Sequence, residues 1–116
     1  MNKFLVLYMA PAATMKEWME KPEAERKESQ DKMETEWNQW MAAHAASMIE
    51  TAGAGKTTQV SAEGAKEVTN DVMMYSLVNG ESKEAVAAMF VGHPHFMIPG
   101  ATIDIMPANM IPGMAK

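Results

Sequence analysis

Apolar residues fall along the chain in blocks whose spacing predicts four strands. Lys3–Met9 is apolar almost throughout, as a buried strand is. Ala101–Pro107 alternates apolar and polar residues, which is typical of a half-buried strand. Lys56–Ala62 and Val68–Val78 have the β-branched content of strands, and Glu63–Lys66 between them is a plausible hairpin turn.

Two helices are predicted between these strands. Pro22–Ala52 reads as one long helix, because its larger apolar residues recur at intervals of three and four and Gly53 is a natural stop. A second helix, Lys83–Val91, follows the capping residue Ser82. The stripe of the long helix consists of Met33, Trp37, Trp40, Met41, His44 and Met48.

The order of these elements is β-α-β-β-α-β, which predicts a single α+β domain over residues 1–116. In the ferredoxin-like arrangement of this order, an antiparallel sheet carries both helices on one face. The other face is left uncovered in a single chain. We therefore expect it to meet a second apolar surface.

Composition narrows the function classes. The net charge of -5 comes without a basic stripe, so nucleic-acid binding is not expected. No apolar run is long enough to cross a bilayer, so we expect a cytoplasmic protein without a membrane partner. The chain has no cysteine, which excludes thiol chemistry, and its 14 methionines favour a buried cavity or a subunit interface.

His44 is the polar exception within the stripe, between Trp40 and Met48. One interpretation is a core histidine bonded to backbone or water. The other is a general acid or base beside apolar walls, in a pocket between the long helix and the sheet. Asp104 is a second catalytic candidate, and the predicted ligand-binding residues are Trp40, Tyr75, His95 and Met48.

His93-Pro94-His95 places two imidazoles at an extended corner, because a residue before proline favours extended geometry. A metal site there needs a third ligand that the spacing does not supply. We therefore interpret the corner as structural, with one histidine bonding the end of the second helix, and expect neither metal nor cofactor.

A set of segments spread over most of the chain carries a family resemblance. They are Val72–Val78, Glu81–Ala85, Gly92–His95, Ile98–Pro107 and Ile111–Met114, with Trp37–Met41 on the long helix. Together these segments resemble the YCII-related family of the dimeric α/β-barrel group. The resemblance implies a protomer whose open sheet face packs on a second copy to form a dimeric barrel. In one branch of that family a histidine and an aspartate form a proposed catalytic pair. His44 matches the histidine, whereas residues 56–59 contain no acid where the aspartate is expected.

Three functional hypotheses follow. The first is a homodimer that binds an unknown small molecule, or a weak enzyme with His44 as acid or base. The second is a non-catalytic assembly module whose tail, Pro107–Lys116, clasps the partner subunit. The third is a metal-dependent enzyme built on the histidines.

Overall fold

The computed structural model describes residues 2–109 and 111–114. Four strands form one antiparallel sheet in the order β2-β5-β1-β6, and β3 with β4 forms a separate hairpin. A short 3₁₀ helix at Pro94–Met97, here called the corner helix, precedes the last strand. The elements are β1 (Asn2–Met9), α1 (Ala12–Glu20), α2 (Glu23–Ala43), β2 (Met48–Gly53), β3 (Thr57–Ser61), β4 (Gly64–Val68), β5 (Val72–Gly80), α3 (Lys83–Phe90) and β6 (Thr102–Pro107).

The mixed α+β class with an antiparallel sheet is confirmed. The first and last predicted strands match β1 and β6, and the predicted second helix matches α3. The Ser82 hydroxyl caps α3 by accepting a hydrogen bond from the Ala85 backbone N–H at 3.1 Å. In these segments the hydrophobic pattern and the flanking turn residues agree, so the local signal was unambiguous.

The predicted long helix is too long by nine residues, because α2 ends at Ala43 and not at Ala52. Met48 and Ala52 lie instead on strand β2, which pairs with β5. A spacing of four residues fits one turn of a helix and also two repeats of a strand. The pattern alone therefore does not separate the two structures in this segment.

The region after β2 also differs from prediction. The predicted strand over 56–62 belongs to the separate hairpin and not to the main sheet. The predicted strand over 68–78 is divided, since β4 ends at Val68 and β5 begins at Val72. Asn70 makes the break, because its side-chain oxygen accepts a hydrogen bond from the Val72 N–H at 3.0 Å.

The buried core lies on one face of the main sheet. Tyr8 and Val6 of β1 are fully buried there, and α3 adds Val86 and Phe90. Helix α2 covers this core with partly buried side chains, among them Trp37, and has no fully buried residue. The helical layer is therefore held mainly by its aromatic side chains.

The opposite face of the main sheet is also apolar. Residues directly paired across strands share a face, and the pairs Leu5 with Leu77 and Leu7 with Tyr75 alternate with the buried positions. None of these side chains belongs to the buried core. The molecule measures 52 × 44 × 19 Å, and the shortest extent accommodates one sheet and one helical layer. We call this surface, formed by Leu5, Leu7, Met73, Tyr75, Leu77 and Met106, the open face.

Gly80 is buried where β5 approaches α3, and a Cβ added there would overlap the Val86 Cγ2 atom. We expect Gly80→Ala to lower the unfolding free energy by about 1–3 kcal/mol, because a well-packed contact must shift. Gly53→Ala is the matched control, since a Cβ at Gly53 meets nothing within 4 Å. Urea unfolding of both variants measures the difference. Equal losses of unfolding free energy in the two variants would contradict the close packing at Gly80.

The predicted tail interaction involves residues only partly covered by the structure. Met110, Ala115 and Lys116 lie outside the described residues. The Ala108 N–H donates to the Lys3 carbonyl at 3.0 Å, and Ile111 and Met114 are exposed.

Among the described helices, none is long and apolar enough to span a membrane.

Candidate functional site

The space between α2 and the main sheet is filled by rings. We call this set the aromatic cluster, and its centre is Tyr8, which is 5.3 Å from Trp37 between ring centroids. His93 lies edge to face with Trp37 at 4.5 Å. Side chains thus occupy the region where the sequence predicted a pocket. The cluster consists of Tyr8, Trp37, Trp40, Phe90, His93 and His95.

His93 is 1 % exposed and is held by the corner helix that follows it. Its Nδ1 accepts a hydrogen bond from the His95 backbone N–H at 2.9 Å. An imidazole nitrogen that accepts carries no proton, so in the neutral ring Nε2 is the N–H donor. Within residues 2–109 and 111–114, His93 Nε2 is the one buried side-chain nitrogen or oxygen without a hydrogen-bond partner. Burial, and then the charges of His95 and His44, lower the pKa of His93 to about 4.

His95 anchors the corner to the sheet. It is 1 % exposed, and its Nε2 donates to the Met9 carbonyl at the end of β1 over 2.9 Å. Burial lowers the pKa of His95 below its ordinary value. We expected one histidine side chain to bond the end of α3, whereas the His95 side chain bonds the end of β1. The bond therefore joins the corner helix to β1.

His44 caps the C-terminus of α2 and is half-buried. Its Nδ1 donates to the Trp40 carbonyl at 2.9 Å, and its ring stacks on the Trp40 ring at 4.2 Å. This is the backbone-bonded geometry of the first interpretation. The same bond leaves Nε2 of the neutral ring without a proton, so His44 retains one basic nitrogen.

The other predicted site residues lie on both sides of the sheet. Met48 packs against the buried core, on the side of α2. Tyr75 lies on the open face, and its hydroxyl donates to the Glu50 carboxylate at 2.6 Å, which raises the pKa of Tyr75. Asp104 pairs with Leu7 and therefore shares the open face. The sheet separates Asp104 and Tyr75 from His44.

A cleft of about 600 Å³ lies where α2 meets the corner helix. Sequence reasoning missed this cleft because helix and corner are distant in the chain. The available signal was Gly92-His93-Pro94, where a helix stop and a proline force a sharp turn. Its walls include Glu36, Gln39, Trp40, His93, Phe96 and Met97.

Metal binding has no geometric support in the described part of the chain. No three histidine, aspartate or glutamate side chains there are grouped closely enough to hold an ion. In addition, His93 Nδ1 and His95 Nε2 already bond backbone groups.

The buried histidines predict acid sensitivity. Their pKa values lie below the ordinary 6.5, so the unfolded chain binds more protons, and stability falls as the pH drops from 6.5 towards 4. The expected slope approaches about 1.4 kcal/mol per pH unit for His93, and His95 adds to it in the same direction. Urea unfolding across this range measures it, and His93→Asn should reduce the slope. An unfolding free energy that does not change between pH 6.5 and pH 4 would contradict the burial of His93 and His95.

Comparisons with known proteins identify a shared fold. No known family model matches the chain, and no curated protein matches it. A solved structure does match: 5-chloro-2-hydroxyhydroquinone dehydrochlorinase (TftG) from Burkholderia phenoliruptrix AC1100, in complex with 2,5-dihydroxybenzoquinone. The identity is 9%, the TM-score is 0.51, and the match covers 91% of each chain. The chain is therefore similar to TftG in its α+β fold.

Proposed function

We propose that this chain is a YCII-related homodimer that binds a small molecule in the cleft between α2 and the corner helix. The observation that carries the proposal is the cleft itself, whose walls combine the apolar Trp40, Phe96 and Met97 with the polar Glu36 and Gln39. Apolar walls with a few polar groups are the usual composition of a small-molecule site.

The homodimer is supported by the open face. Its centre is apolar, with Leu5 and Leu7 of β1 between Leu77 and Tyr75 of β5, while the charged Asp104 and Glu50 lie on the edge strands. An apolar centre with a polar rim is the usual composition of a subunit interface. Two copies related by a two-fold axis would cover both open faces and give the dimeric barrel.

The likeness to TftG supports small-molecule binding by this fold, because that protein is described in complex with a quinone. Fold alone does not assign a ligand, so the proposal depends on the cleft itself. His44 is the residue we assign to proton exchange with the ligand. Its ring stacks on Trp40, which lines the cleft, and its Nε2 retains a lone pair.

Fragment binding followed by proton–nitrogen correlation spectra tests the cleft. We expect fragments that bind to shift the indole N–H signal of Trp40, which lines the cleft. Trp18 on α1 is the internal control, since it is not among the cleft residues. Fragments that shift Trp18 but leave Trp40 unchanged, or that shift neither, would contradict the proposal.

A further inference from the structure

We propose that the cleft prefers an organic cation, an ammonium group carried on an apolar body, over uncharged and anionic analogues of the same shape. This inference rests on the proposed function, because it concerns the ligand of the same cleft. Three features carry it: an unpaired carboxylate in the wall, the lack of a basic side chain there, and exposed apolar side chains that share the cleft.

The carboxylate is that of Glu36 on α2. Helix α2 has six acidic residues, and Glu36 is partly buried while the other five are exposed. The ion pair on this helix joins Lys27 to Asp31, and among the side chains that the structure describes no lysine or arginine pairs with Glu36. A partly desolvated negative charge without a partner is unfavourable, so a cation in the cleft would relieve that cost.

The rest of the wall supplies no positive charge. Neither lysine nor arginine is among the cleft residues. His93 is the wall residue with a basic ring, and its pKa of about 4 keeps that ring neutral at pH 7. An anionic ligand would therefore be repelled by Glu36 without a compensating cation, whereas an ammonium group would be attracted.

The apolar part of the wall suits the body of such a ligand. Phe96 and Met97 of the corner helix are 46% and 40% exposed, so their surfaces are available for contact. The His95 ring lies 6.3 Å from the Phe96 ring and is tilted by 53°, so it does not stack on the Phe96 face. An aromatic face attracts a cation through its quadrupole. The Trp40 ring is already stacked on His44, so we assign Phe96 to the ammonium group.

Three matched probes test the preference. Phenethylamine is a cation at neutral pH, phenethyl alcohol has the same ring and chain without the charge, and phenylacetate is an anion of similar length. Titrations are followed by the indole N–H signal of Trp40, which lines the cleft. We expect the amine to bind about two- to fivefold more tightly than the alcohol, the range for one partly exposed ion pair. Phenylacetate should bind more weakly than both.

Two variants of α2 assign the preference to one carboxylate. Glu36→Gln removes the charge from the cleft wall and should abolish the preference for the amine over the alcohol. Glu34→Gln is the matched control, because Glu34 is exposed on the same helix and is not among the cleft residues. The two variants have equal net charge, so general attraction of cations to this acidic chain cancels in the comparison. Glu34→Gln should retain the wild-type preference.

Phe96→Leu tests the aromatic contribution. Leucine keeps an apolar side chain in the wall but removes the ring face. We expect the preference for the amine to narrow, while the alcohol keeps most of its affinity. An unchanged preference in Phe96→Leu would contradict the assignment of Phe96 to the ammonium group.

The outcomes separate this inference from the proposed function. Binding at Trp40 with equal affinity for the three probes, or with phenylacetate preferred, would overturn the cation preference and leave the cleft as the site. A preference that survives in Glu36→Gln, or that is lost equally in Glu34→Gln, would also overturn it. If no probe shifts the Trp40 indole signal, both the cation preference and the proposed function fail.

Discussion

Replacing Tyr8 with alanine should lower the free energy of unfolding by about 3–5 kcal/mol, among the largest effects of any single substitution in this chain. The side chain is 0% exposed. Its removal leaves a cavity at the centre of the aromatic cluster and withdraws support from the corner. The rings that lose contact are Trp37, Phe90, His93 and His95, at 5.3–6.1 Å between centroids.

Tyr8→Phe is the matched control. The Tyr8 hydroxyl bonds the Ser76 hydroxyl at 2.8 Å, and Ser76 also bonds the Thr51 hydroxyl at 2.7 Å. Ser76 therefore keeps one partner in the phenylalanine variant. We expect a cost of about 1 kcal/mol there, the typical net value of one hydrogen bond.

Urea unfolding followed by tryptophan fluorescence measures both variants. If Tyr8→Ala fails to accumulate as folded protein, Tyr8→Leu gives a smaller cavity and an intermediate loss. Comparable stabilities of the alanine and phenylalanine variants would contradict the central position of the ring.

A single aspartate at Leu7 should convert the proposed homodimer into a monomer. Leu7 lies at the centre of the open face, between Tyr75 on β5 and Asp104 on β6. In a two-fold interface the substitution places a charge in each subunit, close to the acid already present at Asp104. An unpaired charge buried in an interface costs several kcal/mol. The folded protomer should survive, since Leu7 is outside the buried core.

Light scattering after size exclusion measures the mass of each variant. Val91→Asp is the control, because Val91 is 81% exposed at the end of α3 and adds the same charge elsewhere. We expect the control to stay dimeric. A wild-type protein that is already monomeric would contradict the assembly, as would a Leu7→Asp variant that remains a dimer.

The fold was predictable where the hydrophobic pattern agreed with the turn and capping residues that flank it. Strand β1 and helix α3 each have one consistent signal, so their positions follow from the sequence. The segment from Ala45 to Gly53 has apolar residues at a spacing that serves both helix and strand. This segment is a strand because β2 pairs with β5. Such long-range pairing cannot be read from the local hydrophobic pattern.

The candidate site was less predictable for the same reason. The pattern placed His44 on a helix facing the sheet, but α2 ends just before it and turns the ring onto Trp40. His93 is buried by rings from three elements, which are Tyr8 of β1, Trp37 of α2 and Phe90 of α3. Sequence spacing identified the corner at residues 93–95 but not the packing around it.

The protonation state of His93 tests most directly the packing of the aromatic cluster and the corner helix that form the cleft wall. Long-range proton–nitrogen spectra of the imidazole rings distinguish the two neutral tautomers. We predict that His93 is neutral at pH 7 with its proton on Nε2, as its bond to the His95 N–H requires. A proton on Nδ1, or a protonated ring at pH 7, would contradict the account.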